Sequence, residues 1–190
     1  MNWLVFIVLA WVFLGLEQGL RDGLTLGSLG MAPSFVFVLL TFVAMAAPRV
    51  TVFWCAAAVG IAMDLLFQIP MREGTGTVTI VGPHAIAYGL GCQLVLALRG
   101  VMMRRNPFTL GFLAMVGSVV AYLVISAVLT LRHATGAPIA WEAKRQLVAG
   151  LGSALYTGLA AVPMALLLFP LAHMLGLPDQ KARWGSAARR

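Results

Sequence analysis

The chain has 190 residues, of which 61% are hydrophobic and only 10% are charged. Soluble domains carry about 25% charged residues, so this composition excludes an ordinary water-soluble domain and indicates an integral membrane protein with room for one compact bundle. The net charge of +7 does not indicate nucleic acid, because the basic residues are scattered at the ends of apolar segments and in a short tail, a distribution that suits membrane orientation.

Six apolar segments follow one another: Trp3–Leu20, Pro33–Ala47, Thr51–Ile69, Val78–Arg99, Phe108–Leu131 and Leu147–Leu177. A span needs about 20 residues at a rise of about 1.5 Å each. The first segment lacks a basic leading region and carries Glu17 where a small-residue cleavage site would stand, so it reads as a membrane helix. The second is short, and its start is expected to reach back into 23–32. The third is free of charge except for Asp64, and a carboxylate kept in hydrocarbon costs several kcal/mol unless it has a role. The sixth is too long for one straight span. Pro163 and Pro170 are expected to kink it, or its first turns to lie along the surface. The predicted fold is therefore all-α, about six transmembrane helices in one bundle over residues 1–177. A basic cytoplasmic tail, 178–190, would lie near anionic membrane lipid. No internal repeat is evident.

Orientation follows from Lys and Arg. With the N-terminus inside, the inner regions hold Arg49, Arg99, Arg104, Arg105, Lys181, Arg183, Arg189 and Arg190, eight in all. The outer loops hold five: Arg21, Arg72, Arg132, Lys144 and Arg145. This bias predicts a multi-pass protein with both termini in the cytoplasm.

That topology puts several polar side chains at one depth. Glu17 and Arg21 fall near the outer end of the first helix, Asp64 in the outer half of the third, and His84 near the outer start of the fourth. Arg72 and Glu73 lie in the connecting loop. Glu17, Arg21, Asp64, Arg72 and His84 are expected to form one network, which pairs and pins the first, third and fourth helices in the bland reading and serves a proton relay or ligand in the sharper one. Around it run faces of small residues. Ala58 and Ala62, and Ala56 and Gly60, are i, i+4 on the third helix, as are Ala85 and Gly89, and Ala87 and Gly91, on the fourth. Pro83 after Gly82 suits a first helical turn. Such faces admit a close neighbour, either each other or a partner helix. Gly23 and Gly27 also make a GxxxG string, at a segment edge.

Chemistry finds little purchase. Cys55 and Cys92 both lie inside apolar segments and read as small buried residues. His84, His133 and His173 lack metal-ligand spacing. Ser153, in Gly-Leu-Gly-Ser-Ala, does not match an intramembrane serine protease motif and reads as packing, with Thr157 one turn on. No cofactor is implied, and the chain reads as a non-enzyme.

These features in order resemble the MreD family of rod shape-determining proteins. The points of similarity are six apparent spans, Pro33 opening the second, Gly60-Ile-Ala-Met-Asp64-Leu-Leu closing the third, and Gly82-Pro-His-Ala-Ile-Ala-Tyr-Gly beginning the fourth. The basic connection 99–105 and the basic tail add to it. The likeness covers about residues 5–177, with 58–91 the specific stretch. Ser34 departs from it, standing where the family often has an acidic residue, and the loop 68–77 is long. The resemblance implies a non-enzymatic scaffold in the bacterial inner membrane that binds MreC. The wider cell-elongation complex includes MreB, RodA and a class B penicillin-binding protein, and directs lateral peptidoglycan synthesis and cell shape. It also implies a helix arrangement like that of the substrate-binding S-components of vitamin transporters. The alternative function is accordingly capture of a small vitamin-like solute. That reading wants an outward pocket with several aromatic and hydrogen-bonding groups, for which Trp141, Glu142, Arg72 and His84 are the candidates. A proton-coupled carrier built on Asp64 is a third reading, against which stands the lack of paired interrupted helices.

Overall fold

The computed structural model describes residues 1–27, 30–72, 76–100, 102, 106–137 and 139–176. Six helices are present among them: α1 (Trp3–Leu24), α2 (Phe35–Ala46), α3 (Arg49–Leu66), α4 (Pro83–Leu98), α5 (Pro107–Ala134) and α6 (Ala143–Leu171). A short antiparallel hairpin, β1 (Gln68–Pro70) with β2 (Thr77–Thr79), joins α3 to α4 and pairs Ile69 with Val78. The chain is thus a mostly helical, membrane-embedded protein. Four helices, α1, α3, α5 and α6, are long and apolar enough to cross a bilayer. The other two are apolar but shorter, with 12 residues in α2 and 16 in α4. They rise about 18 Å and about 24 Å, against a hydrocarbon core of about 30 Å. Of the about six transmembrane helices expected, all six are present as helices among the described residues, but only four have the length and composition to cross a bilayer.

The short helices begin later than the sequence pattern indicated. The second segment does not reach back into 23–32. α1 instead runs on to Leu24, and the chain then reverses through an isolated bridge between Leu26 and Met31, with Gly27 at φ 68° and Gly30 at φ 70°. Those left-handed conformations suit glycine and stop a helix. α2 begins only after Pro33, with the Ser34 hydroxyl accepting from the Phe37 amide. The apolar ends 67–69 and 78–82 are also not helical. Pro70 and the β-branched run Thr77-Val-Thr-Ile-Val favour extended chain there, and Gly82, at φ 123°, turns it into Pro83 at the first position of α4. At the other end of the chain, α6 begins at Ala143 and continues through Pro163 and Pro170 to Leu171 as one helix. The tail 178–190, Glu73, and Arg104 and Arg105 lie outside the described residues.

α2 is the centre of the molecule. Every residue from Phe35 to Met45 is buried, and α2 touches α1, α3, α4, α5 and α6. Around it, α3, α4, α5 and α6 pack each against the next in sequence, while α1 lies on α2. Phe37 fixes the approach of two neighbours: its ring lies where a Cβ on Gly91 of α4 or on Gly117 of α5 would stand, 2.9 Å away in each case, and it meets Tyr88 edge-on at 5.4 Å. α5 and α6 meet through Gly111 and Gly158, each carbonyl seated over the other glycine. The Asn2 amide donates to the Leu175 carbonyl at 2.9 Å, so the start of α1 and the segment after α6 lie at the same end of the bundle.

Candidate functional site

A helix that starts or stops inside a bundle leaves N–H or C=O groups without intrahelical partners, and in hydrocarbon each one is costly. The two short helices meet this problem with side chains borrowed from other helices. At the start of α2, Glu17 Oε2 on α1 accepts from the Val36 amide at 2.8 Å and from the Ser34 hydroxyl at 3.2 Å. α6 supplies two hydroxyl acceptors just ahead of it: Thr157 Oγ1 takes the Ser34 amide at 2.9 Å, and Ser153 Oγ takes the Ala32 amide at 3.2 Å. At the far end of α2, the Arg99 guanidinium donates to the carbonyls of Ala44 at 2.8 Å and Ala47 at 2.6 Å. A carboxylate at the N-terminus and a guanidinium at the C-terminus both oppose the helix dipole, the arrangement that dipole favours.

Asp64 does for α4 what Glu17 does for α2. Its Oδ2 accepts from the Gly82 amide at 2.7 Å, and its Oδ1 from the His84 amide at 2.9 Å and from His84 Nδ1 at 2.7 Å. Asp64 is 1% exposed, so these bonds stand in for the water it has lost. Both of its oxygens already accept backbone N–H groups, which makes the ring the donor and puts the proton on Nδ1. The His84 ring is held between Phe67 and Tyr88, at centroid distances of 5.3 and 5.7 Å.

The expected single network is therefore two clusters. Asp64 and His84 tie α3 to α4; Glu17 ties α1 to α2 and contacts neither of them. Arg21 is exposed, with its guanidinium 5.6 Å from the Phe67 ring centroid, and forms no ion pair among the described residues. Arg72 lies apart, exposed at the hairpin. What reunites most of them is a cavity of about 130 Å³ at this end of the bundle, whose wall includes Glu17, Arg21, His84, Tyr88, Tyr122 and Trp141. Arg72 instead lines a wider surface depression of about 590 Å³, which shares Trp141 and Gln146 with that cavity.

The small-residue positions also divide. Gly60 faces the backbone of His84 and Ala85, where no Cβ would fit, so α3 and α4 use Gly60 and Ala85 on each other. Gly91 is filled by Phe37 and the Gly117 carbonyl. Gly82 serves the turn into α4. Ala58 is exposed, Ala62 is half-buried, and Gly89 has open space before it. A face missed in the sequence is Gly15, Gly19 and Gly23 on α1: all three are exposed, at i, i+4 and i+8, with nothing within 4 Å of an added Cβ. The signal was the Gly15-x-x-x-Gly19-x-x-x-Gly23 spacing itself, overlapped by the Gly23/Gly27 string. Arg99, Ser153 and Thr157 likewise have partners that their positions in the sequence did not disclose. No family model matches the chain, and neither a curated protein nor a solved structure does.

Proposed function

We propose that this protein is a non-enzymatic scaffold of a bacterial cell-elongation complex, the role that the MreD resemblance implies. In this reading it crosses the inner membrane six times with both termini in the cytoplasm. It binds the single span of an MreC-type partner and helps to position MreB, RodA and a class B penicillin-binding protein for lateral peptidoglycan synthesis. The observation that carries the reading is the use made of the intramembrane charges. Glu17, Asp64 and Arg99 are all engaged at the ends of α2 and α4, so they maintain a fixed framework. A carrier or enzyme would want such groups free to exchange partners or protons.

The partner span is assigned to the Gly15, Gly19 and Gly23 face of α1. Small residues let two helix backbones approach closely, and in a bilayer this packing replaces the hydrophobic drive that is missing between lipid-immersed helices. Trp11, Leu4 and Val8 continue the same helix as exposed apolar surface. Co-purification with an MreC-type protein tests the assignment. Gly19→Leu should abolish capture while the protein accumulates and melts normally, because nothing inside the bundle touches that position. Unchanged capture by Gly19→Leu removes α1 as the docking face, and absence of capture by the unaltered protein removes the scaffold reading.

A further inference from the structure

We infer that the cavity bounded by Arg21, Phe67, Tyr88, Tyr122 and Trp141 is a binding site for a small planar organic anion, a single aromatic ring bearing a carboxylate. Three observations carry this. The first is size: at about 130 Å³ the cavity is well below the several hundred Å³ of a site for a drug-sized ligand, and close to the roughly 150 Å³ that accepts one benzene ring. The second is the wall. Phe67, Tyr88, Tyr122, Trp141 and the His84 ring offer flat faces and edges from four parts of the chain. Tyr88 and His84 are mutually held edge to face, and the Trp141 indole is anchored by its Nε1 donating to Thr130 Oγ1 at 3.0 Å. A rigid aromatic wall recognises a ring at little entropic cost.

The third observation is charge. Two carboxylate-bearing residues stand in or behind the wall, and both are committed: Glu17 to the start of α2, and Asp64 to the start of α4. The N-terminal ends of those helices offset their negative charge. Arg21 forms no close ion pair among the described residues: it acts on Glu17, one turn earlier on α1, only through space, and its guanidinium rests against Phe67 at the cavity wall, where its planar donors can meet a carboxylate. The approach is basic as well. The depression that shares Trp141 and Gln146 with the cavity is lined by Arg72 and Arg145 with one carboxylate, Glu142, among the described residues. Such a funnel concentrates anions at its mouth. The site does not depend on the scaffold reading, because it lies inside the bundle and the partner face lies on the outer surface of α1.

Calorimetric titration of the purified full-length protein with benzoate tests the inference, with benzyl alcohol as the neutral ring of similar size. Saturable one-to-one binding of benzoate is expected, about tenfold tighter than benzyl alcohol, and Arg21→Gln should erase that difference. Ala149→Leu and Ser126→Leu, which fill the cavity from α6 and α5, should each abolish binding in protein that retains its unfolding transition. If the unaltered protein takes up no benzoate saturably, the cavity holds water only and the inference falls. It also falls if benzoate and benzyl alcohol bind alike, or if a folded cavity-filling variant still binds. Intact co-purification with an MreC-type protein alongside any of these failures leaves the scaffold reading standing.

Discussion

At the scale of single residues, the two intramembrane carboxylates are best understood through what they receive. Asp64 accepts from three backbone amides, those of Gly82, His84 and, at 3.5 Å, Ala85, and from one imidazole; Glu17 accepts from one amide and one hydroxyl. Removing Asp64 leaves several buried donors without acceptors, at roughly 1–3 kcal/mol each. Asp64→Ala is therefore expected to destabilise the detergent-solubilised protein by about 3 kcal/mol or more in a reversible denaturation assay. Asp64→Asn should cost clearly less, since its amide oxygen still accepts from one N–H. Equal losses for the two variants would show that the charge itself, and not the capping, is what matters. That Asp64 was important was legible from its isolation in an apolar run. What it bonds was not, because the amides of Gly82 and His84 lie 18 and 20 residues away and no periodicity links a side chain to another helix's first turn.

At the scale of elements, the glycines separate into those that hold helices together and those that face outward. A Cβ on Gly91 would stand 2.8 Å from the Gly117 carbonyl and 2.9 Å from the Phe37 ring, and neither can yield without moving α4 from α5 and α2. Gly91→Ala should therefore lower the midpoint of thermal unfolding by several degrees. Gly89→Ala, two residues along the same helix, should leave it unchanged or raise it, since alanine favours helix by about 1 kcal/mol over glycine where space is open. Indistinguishable midpoints would contradict the packing of α2, α4 and α5 described above. The sequence pattern located all six helices but not all of their ends, missing most at the end of α1, the start of α4 and both ends of α6. Apolar β-branched residues such as Val78, Ile80 and Val81 read the same in hydropathy whether they lie in a strand or a span. The turn at Leu26–Met31 shows only in the backbone conformation of Gly27 and Gly30.

At the scale of the whole molecule, the bond between Asn2 and Leu175 places both ends of the described chain together, in keeping with an even number of crossings. The native cysteines are buried, so introduced thiols can be read against a low background. An impermeant maleimide applied to intact cells should label Arg72→Cys and Glu142→Cys but not Asn2→Cys or Gly100→Cys. Labelling of Asn2→Cys would invert the proposed orientation.

The caps of α2 also dictate an order of assembly. Glu17 emerges during synthesis before the amides it serves, so α1 and α2 can settle as a pair almost at once. The amides of Ala32 and Ser34, however, wait for Ser153 and Thr157, which come 121 and 123 residues later. Until α6 has been made and docked, the innermost helix of the protein stands with part of its entrance unsealed in a solvent that offers no substitute. A chain stopped before α6 would therefore hold α2 with the Ala32 and Ser34 amides still lacking their hydroxyl acceptors.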